Sequence, residues 1–590
     1  MARKEKPVDV VMIGLGWTNA ILAIELADTG LSLLALDRGE DRDTVPDFAY
    51  PRMIDELTYG VRYKLMLPPA ENTVTIRHTP KDTALPYRHL GSFLPGNGVG
   101  GAGVHWNGHT WRPEPAEFRL KSYVTESFGA KTIPEGMTIQ DYPLSYEELE
   151  PYFDRFEKVL GVSGKAGNLN GEIREGGNPF EGPRSDEYPN PPLPPTYNRV
   201  LFEEAARGMG YHPFPMPSAN MSRAYTNPYG MTLGPCNFCG FCERYGCINY
   251  SKSSPQTCIL PALRRKTNFS YRTRAEVIRI DLDQDRTRAI GVTYVDETGE
   301  EVFQPADLVI SGAYSYHNVR LLMLSGIGEI YDPAKNTGTL GRNYSYQMTG
   351  GHTLFFKDKN FNPFVGAGSN GSSLMDFGVG QLDMGKLGFV GGTIVTSAQY
   401  NGQPIRSLSL PSGTPSWGSA WKKAARDWYG HSMSIASHAS NMAYRDCYLD
   451  LDPTYKDRHG LPLLRMTFDW KPNDLKMTQH FRSEIEPIAK SLEPDLLKAS
   501  YKGPDSHYDV RPYQTTHNVG GAIVGASPRD SVLNRYCQSW NIHNVFVTGA
   551  SAFPQNIQFN PTGLIGALAY WTARAIREDY LKDPRPLVQA

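Results

Sequence analysis

Apolar runs closed by glycine, and apolar positions at helical spacing, divide the chain into elements. Val8-Asp9-Val10-Val11-Met12-Ile13 reads as a short buried strand. Gly14-Leu15-Gly16-Trp17-Thr18-Asn19 follows, then an apolar helix to about Thr29 that Gly30 closes. Residues 31–36 make a second strand ending on Asp37. Ser145-Tyr146-Glu147-Glu148 has capping-box spacing, and Pro151 starts the following helical turns. Tyr152, Phe153, Phe156, Val159 and Leu160 recur there at helical spacing, as core positions, up to Gly161. Residues 164–196, dominated by Gly, Asn, Pro and charge, predict a long extended surface excursion. Strand-like runs fill 268–311, and a helix follows through Val319, Leu321, Leu322 and Leu324 to Gly326. Residues 345–510 alternate between apolar and polar positions, broken by Gly- and Pro-rich turns. The last elements are a strand and turn over 544–554 and an apolar helix over 564–575, opened by Asn560-Pro561-Thr562-Gly563. No internal repeat is present. The order of elements predicts an α/β protein, α+β overall.

The first strand–helix–strand unit has the form of a dinucleotide site. Gly14 and Gly16 let a pyrophosphate approach the helix N-terminus, and Asp37 can accept from ribose hydroxyls. Asn19 stands where a third glycine is usual, so the fingerprint by itself does not separate FAD from NAD. A second glycine-rich stretch lies at 96–115, with five glycines in eight positions (96, 98, 100, 101 and 103) and then His105, Trp106, Asn107 and His109. Glycines followed directly by Trp, His and Asn predict a loop that cradles a flat or anionic ligand.

At 590 residues the chain exceeds one simple core, and two domains are expected. A net charge of −2 gives no electrostatic argument for nucleic acid or a membrane surface. No apolar run of eighteen residues occurs, so no transmembrane helix is expected, and Asp9 argues against reading the N-terminus as a signal peptide. Of seven cysteines, five lie within 23 residues: Cys236, Cys239, Cys242, Cys247 and Cys258. Sequential disulfides this close would staple little, and structural zinc generally uses two ligand pairs separated by a longer loop. Closely spaced thiolates are how iron–sulfur clusters are held, which makes a cluster on Cys236, Cys239, Cys242 and Cys247 the leading reading, ahead of zinc and of free or disulfide-bonded thiols. Cys447 and Cys537 are isolated and read as core.

The fingerprint and the loop carrying Gly100-Gly101 together resemble the glucose–methanol–choline (GMC) family of flavin oxidoreductases. The resemblance implies a Rossmann-like FAD domain of residues 1–140, 225–345 and 515–590. A discontinuous substrate domain on an antiparallel sheet takes 141–224 and 346–514, with a cysteine-rich segment at 236–258. Val277, Gly312, Gly549, Ala550, Pro561 and Thr562 match positions near the flavin, and Gly312-Ala313-Tyr314 resembles the second family signature. His105-Trp106 is similar to the pyranose oxidase branch, which implies a covalent bond from His105 to FAD and places Asn107 near flavin N5. His517-Asn518-Val519-Gly520 matches the family's base segment, and Asn560, 43 positions on, matches its partner. The whole chain further resembles the family's membrane-associated sugar and sugar-acid dehydrogenases. That implies oxidation of a secondary alcohol, D-gluconate to 2-dehydrogluconate first, with 2-dehydrogluconate, sorbitol and fructose as alternatives. It also implies a three-iron [3Fe-4S] cluster, a small subunit, a membrane-bound cytochrome c subunit that passes electrons to quinone, and export with a partner to the periplasmic face of the inner membrane. An NAD-dependent dehydrogenase is a rival that leaves residues 96–112 unexplained. A non-catalytic electron-transfer subunit is another, and it would not need His517 and Asn560.

Overall fold

The computed structural model describes residues 2–49, 65–88, 92–399 and 408–589. The first apolar run forms strand β1 (Val8–Ile13) and the next forms helix α1 (Trp17–Leu26). Every residue of α1 is buried, which is why it shows no polar stripe. A 3₁₀ turn, Ala27–Thr29, carries it to Gly30 in the left-handed region at φ +82°. The second strand, β2 (Leu33–Leu36), is two residues shorter than the apolar pattern suggests.

β1 pairs in parallel with β2 on one side and with the long strand β3 (Glu301–Ser311) on the other. Phe269–Arg272 extends the sheet beyond β2, and β4 (Val545–Val547) pairs in parallel with the end of β3. The first half of β3 pairs instead with Ala289–Val295, antiparallel, and that strand with Glu276–Leu282. The result is one mixed sheet of eight strands. A second sheet has six strands, all antiparallel, in the order Leu496–Ala499, Met348–Phe355, Ser432–Ala439, Thr393–Ala398, Gly371–Leu374, Phe214–Pro215. The mixed α/β class and the antiparallel second sheet are as the sequence predicts.

Helix α2 (Tyr146–Leu160) starts on Ser145, whose side chain accepts from Glu148 N, and ends on left-handed Gly161. Pro151 therefore lies inside the helix and does not start it. The predicted stripe is core, with Phe153, Phe156, Val159 and Leu160 at 0–1% exposure. Cys447 and Cys537 are also buried. The surface excursion predicted for 164–196 is corrected in part: residues 170–176 are exposed, but much of the rest is not. The segment is irregular, but it folds back on α2 and buries Glu181, Arg184 and Asn190. Proline and glycine leave only a small hairpin there, Asn168–Leu169 with Glu172–Ile173; they do not decide burial. Arg184 is retained inside because it pairs with Glu157 of α2. Glu157 also takes two N–H bonds of 2.8 Å from Arg112, which follows the glycine loop. Burial raises the Glu157 carboxyl, yet the two guanidiniums outweigh it and hold it at about 2.

Candidate active site

The turn after β1 and the glycine loop meet backbone to backbone. Gly100 N donates to Leu15 O at 2.7 Å, and a Cβ on Gly101, at φ +54°, would lie 3.2 Å from the Gly16 Cα. A Cβ on Gly14, at φ +80°, would reach Gly312 O at 3.0 Å, so three glycine-bearing turns close on one point. Above them opens a cavity of about 410 Å³. Gly14, Gly16, Asp37, Gly101, His105, Asn107, Val277, Gly312, Gly549, Ala550, Pro561 and Thr562 all line it, as do His517 and Asn560. Gly100 and Asn19 do not. Gly100 packs against Gln256, and Asn19, fully buried, uses its amide to brace Ile13 O and Gly14 O.

The cavity suits a flavin dinucleotide. Gly16 caps α1 without a side-chain bond, and α3 (Thr562–Ala575) likewise begins with no side-chain cap and no acid in its first turn. Two sets of unused N–H groups thus face one space, fit for a pyrophosphate at one end and a reduced flavin ring at the other. Asp37 accepts from Leu15 N and Gly39 N, each at 3.0 Å, and burial raises its carboxyl. Val277, second residue of the strand Glu276–Leu282, lines the cavity together with Arg38, whose Nη2 lies 3.0 Å from His317 Nε2.

At the other end the polar atoms converge on His517. Its Nδ1 lies 2.6 Å from Gln347 Oε1 and its Nε2 3.2 Å from Asn560 Nδ2. The Asn560 amide is oriented by Trp111, whose indole N–H donates to Asn560 Oδ1 at 3.2 Å. An indole nitrogen only donates, so Asn560 must turn its NH₂ toward His517. Nε2 is then the ring's lone-pair atom, and Nδ1 carries the proton, donated to Gln347. His109 and His438 stand close by. Burial lowers His109 to about 3, helped by His438, and lowers His438 to about 4. His517 is pushed well below its ordinary value by burial, then by His438 and His109. All three imidazoles are therefore neutral near pH 7. Asn107 is bound to His109 Nε2 at 3.3 Å through its Nδ2, and its buried Oδ1 has no partner among the described residues. Gln347, His438 and Trp111 were not singled out by the sequence. A histidine within the small-residue strand Ser432–Ala439 was the one available signal.

The cysteine segment docks on the same loop. Arg244 N donates to His105 O at 2.7 Å, Trp106 Nε1 to Ser253 O at 2.7 Å, and Lys252 Nζ to Trp106 O at 2.7 Å. None of the seven cysteines is disulfide-bonded to another. Burial raises Cys236 to about 12 and raises Cys239 and Cys242, and neighbouring cysteines push all three further. Cys247 Sγ accepts from Ser251 N and Lys252 N, both at 3.3 Å. A single zinc would hold its thiolates about 3.8 Å apart. Among the described residues no three cysteine sulfurs lie within 4.8 Å of one another. An iron–sulfur cluster ties thiolates to different irons and so spaces them more widely than a single zinc does.

Two sheets, a dinucleotide cavity between glycine turns and a neutral histidine at its end define a flavin-type oxidoreductase. Residues 219–349 and 443–569 match the two parts of the family described as GMC oxidoreductase. The chain is 51% identical over 594 residues to the gluconate 2-dehydrogenase flavoprotein of Pantoea cypripedii, covering 100% of this chain and 97% of that one. It is 24% identical to the fructose dehydrogenase large subunit of Gluconobacter japonicus, over 98% and 99% of the two chains. Among solved structures, an Aspergillus oryzae formate oxidase superposes with a TM-score of 0.60 at 14% identity, over 98% of this chain and 99% of that one. Pyridoxine 4-oxidase from Mesorbium loti gives 0.57 at 17%, over 97% and 99%. The chain belongs to the GMC oxidoreductase family and is an FAD-dependent enzyme acting on CH–OH groups. No helix among the described residues is long and apolar enough to cross a membrane.

Proposed function

We propose that the protein is the flavoprotein subunit of a sugar-acid dehydrogenase that oxidises D-gluconate to 2-dehydrogluconate. The carrying observation is the His517–Asn560 pair, set by Gln347 and Trp111, in a chain half identical to a gluconate 2-dehydrogenase flavoprotein. Bound FAD supplies a hydride acceptor. His517 Nε2 takes the proton from the substrate hydroxyl, and the Asn560 N–H binds the same oxygen as it becomes a carbonyl. Asn107 positions the carbon beside flavin N5, and His105 carries the cofactor covalently. A non-catalytic electron-transfer role would leave this pair without a use.

Three of Cys236, Cys239, Cys242 and Cys247 would hold an iron–sulfur cluster, [3Fe-4S], which would supply one-electron transfer toward a membrane-bound cytochrome c subunit and quinone. A small subunit completes the complex on the periplasmic side. The FAD domain takes 1–140, 225–345 and 515–590, and the substrate domain 141–224 and 346–514. The strands of the mixed sheet fall in the first set and those of the antiparallel sheet in the second. Anaerobic addition of single sugars to purified protein, followed in the visible, tests the reading. D-Gluconate should bleach the flavin bands within seconds. Bleaching by fructose, sorbitol or 2-dehydrogluconate in its place would reassign the substrate.

A further inference from the structure

The glycine loop and the cysteine segment are joined by a side chain that belongs to neither motif. Lys252 is 1% exposed. Its Nζ donates to three carbonyl oxygens: Trp106 at 2.7 Å, Cys242 at 2.8 Å and Tyr245 at 2.7 Å. Three acceptors at these distances use three N–H groups. A neutral amine has two, so the side chain is an ammonium. Such a charge is tolerated inside a protein only where an opposite charge faces it. Among the described residues no carboxylate forms an ion pair with Lys252; burial lowers its pKa, and Cys242, Cys247 and Cys239, with Glu243 after them, act against that lowering. As thiols these cysteines are neutral and leave the ammonium uncompensated. As thiolates on a cluster they supply the missing negative charge. The backbone N–H of the same residue already points at Cys247 Sγ.

We propose that Lys252 is the fixed counter-cation of the cysteine-held cluster and the clamp that holds its binding segment against the flavin loop at Trp106. The inference rests on the iron–sulfur reading given above. Each electron that enters the cluster adds one negative charge, which a cation at this place favours; Lys252 keeps its three protons throughout and gives none to the reaction. It is a positioning residue, not a catalytic one.

The test uses anaerobically purified holoprotein, wild type, Lys252→Met and Lys252→Arg. Iron and acid-labile sulfide are assayed, and the cluster's EPR signal is followed through a redox titration. Flavin reduction by D-gluconate and its reoxidation by an artificial one-electron acceptor are timed separately. Lys252→Met should move the cluster's midpoint to lower potential and slow transfer out of reduced flavin by about tenfold or more, a larger loss than in flavin reduction. Lys252→Arg, which keeps the charge, should restore most of the potential. A loaded Lys252→Met protein with wild-type potential overturns the inference. A wild type devoid of iron and sulfide overturns the cluster reading instead, a separate result. Should Lys252→Met fail to accumulate, pulsed EPR of wild type labelled with ¹⁵N-lysine takes its place: coupling of the cluster spin to lysine nitrogen is expected, and its absence overturns the proposal.

Discussion

His517 is prepared as a base by its neighbours rather than by its own chemistry. Gln347 Oε1 accepts a hydrogen bond from Nδ1–H at 2.6 Å, and Trp111 turns Asn560 so that Nε2 faces an N–H. Burial holds the ring's pKa below its ordinary value, so it stays unprotonated through neutral pH. Flavin reduction by substrate should therefore be nearly flat across neutral pH and fall only in acid, below the usual histidine value of about 6.5. Stopped-flow rates at saturating substrate give that profile. His517→Ala should keep FAD but lose on the order of 10²–10⁴-fold in flavin reduction, with a smaller loss for Asn560→Ala. Near-normal reduction by the His517 variant would remove it as the base. His105, 5% exposed on the cavity wall, is expected to hold FAD through acid denaturation. Yellow colour released entirely into the supernatant would show that the flavin is held without a bond.

At the scale of elements, the buried Arg112–Glu157–Arg184 group joins three parts of the chain: the end of the glycine loop, α2 and the irregular 164–196 segment. Glu157→Gln removes the carboxylate charge that two buried guanidiniums share, which costs about 3–5 kcal/mol. The melting temperature should drop accordingly, without loss of the His517 geometry. The Glu157 pKa is depressed in the folded state, so its contribution is present above the unfolded carboxylate value and is lost as pH falls from there toward about 2. The difference in melting temperature between wild type and variant should therefore shrink on acidification. A difference that stays constant into acid would contradict the ion-pair account. Irregular backbone concealed this group from sequence reading, since nothing local marks which arginine of a polar loop will be inside.

For the whole molecule the question is the route of electrons. The cysteine segment is hydrogen-bonded to the flavin loop at His105, Trp106 and Lys252, so a cluster there would adjoin the cofactor. Replacing Cys242 and Cys247 by Ser should leave substrate able to bleach the flavin while transfer to cytochrome c or quinone stalls. Oxygen should be a poor acceptor for the wild type. Normal cytochrome reduction by the double variant would rule out this path.

What the chain determines locally was legible in it. Periodicity and glycine placement mark β1, α1, β2, α2 and the terminal helix, because short-range sterics and one-sided burial act within a few residues. The grouping of five cysteines is visible in the chain, and His517 and Asn560 are picked out through the family resemblance. Three-dimensional packing alone brought Gln347, His438 and His109 to the base, turned Asn560 by way of Trp111, put Arg184 inside, and set Lys252 between two motifs. Those contacts join residues up to 449 positions apart, as Trp111 and Asn560 are. Their burial, and hence their charge and tautomer, depends on surroundings that no window of sequence contains.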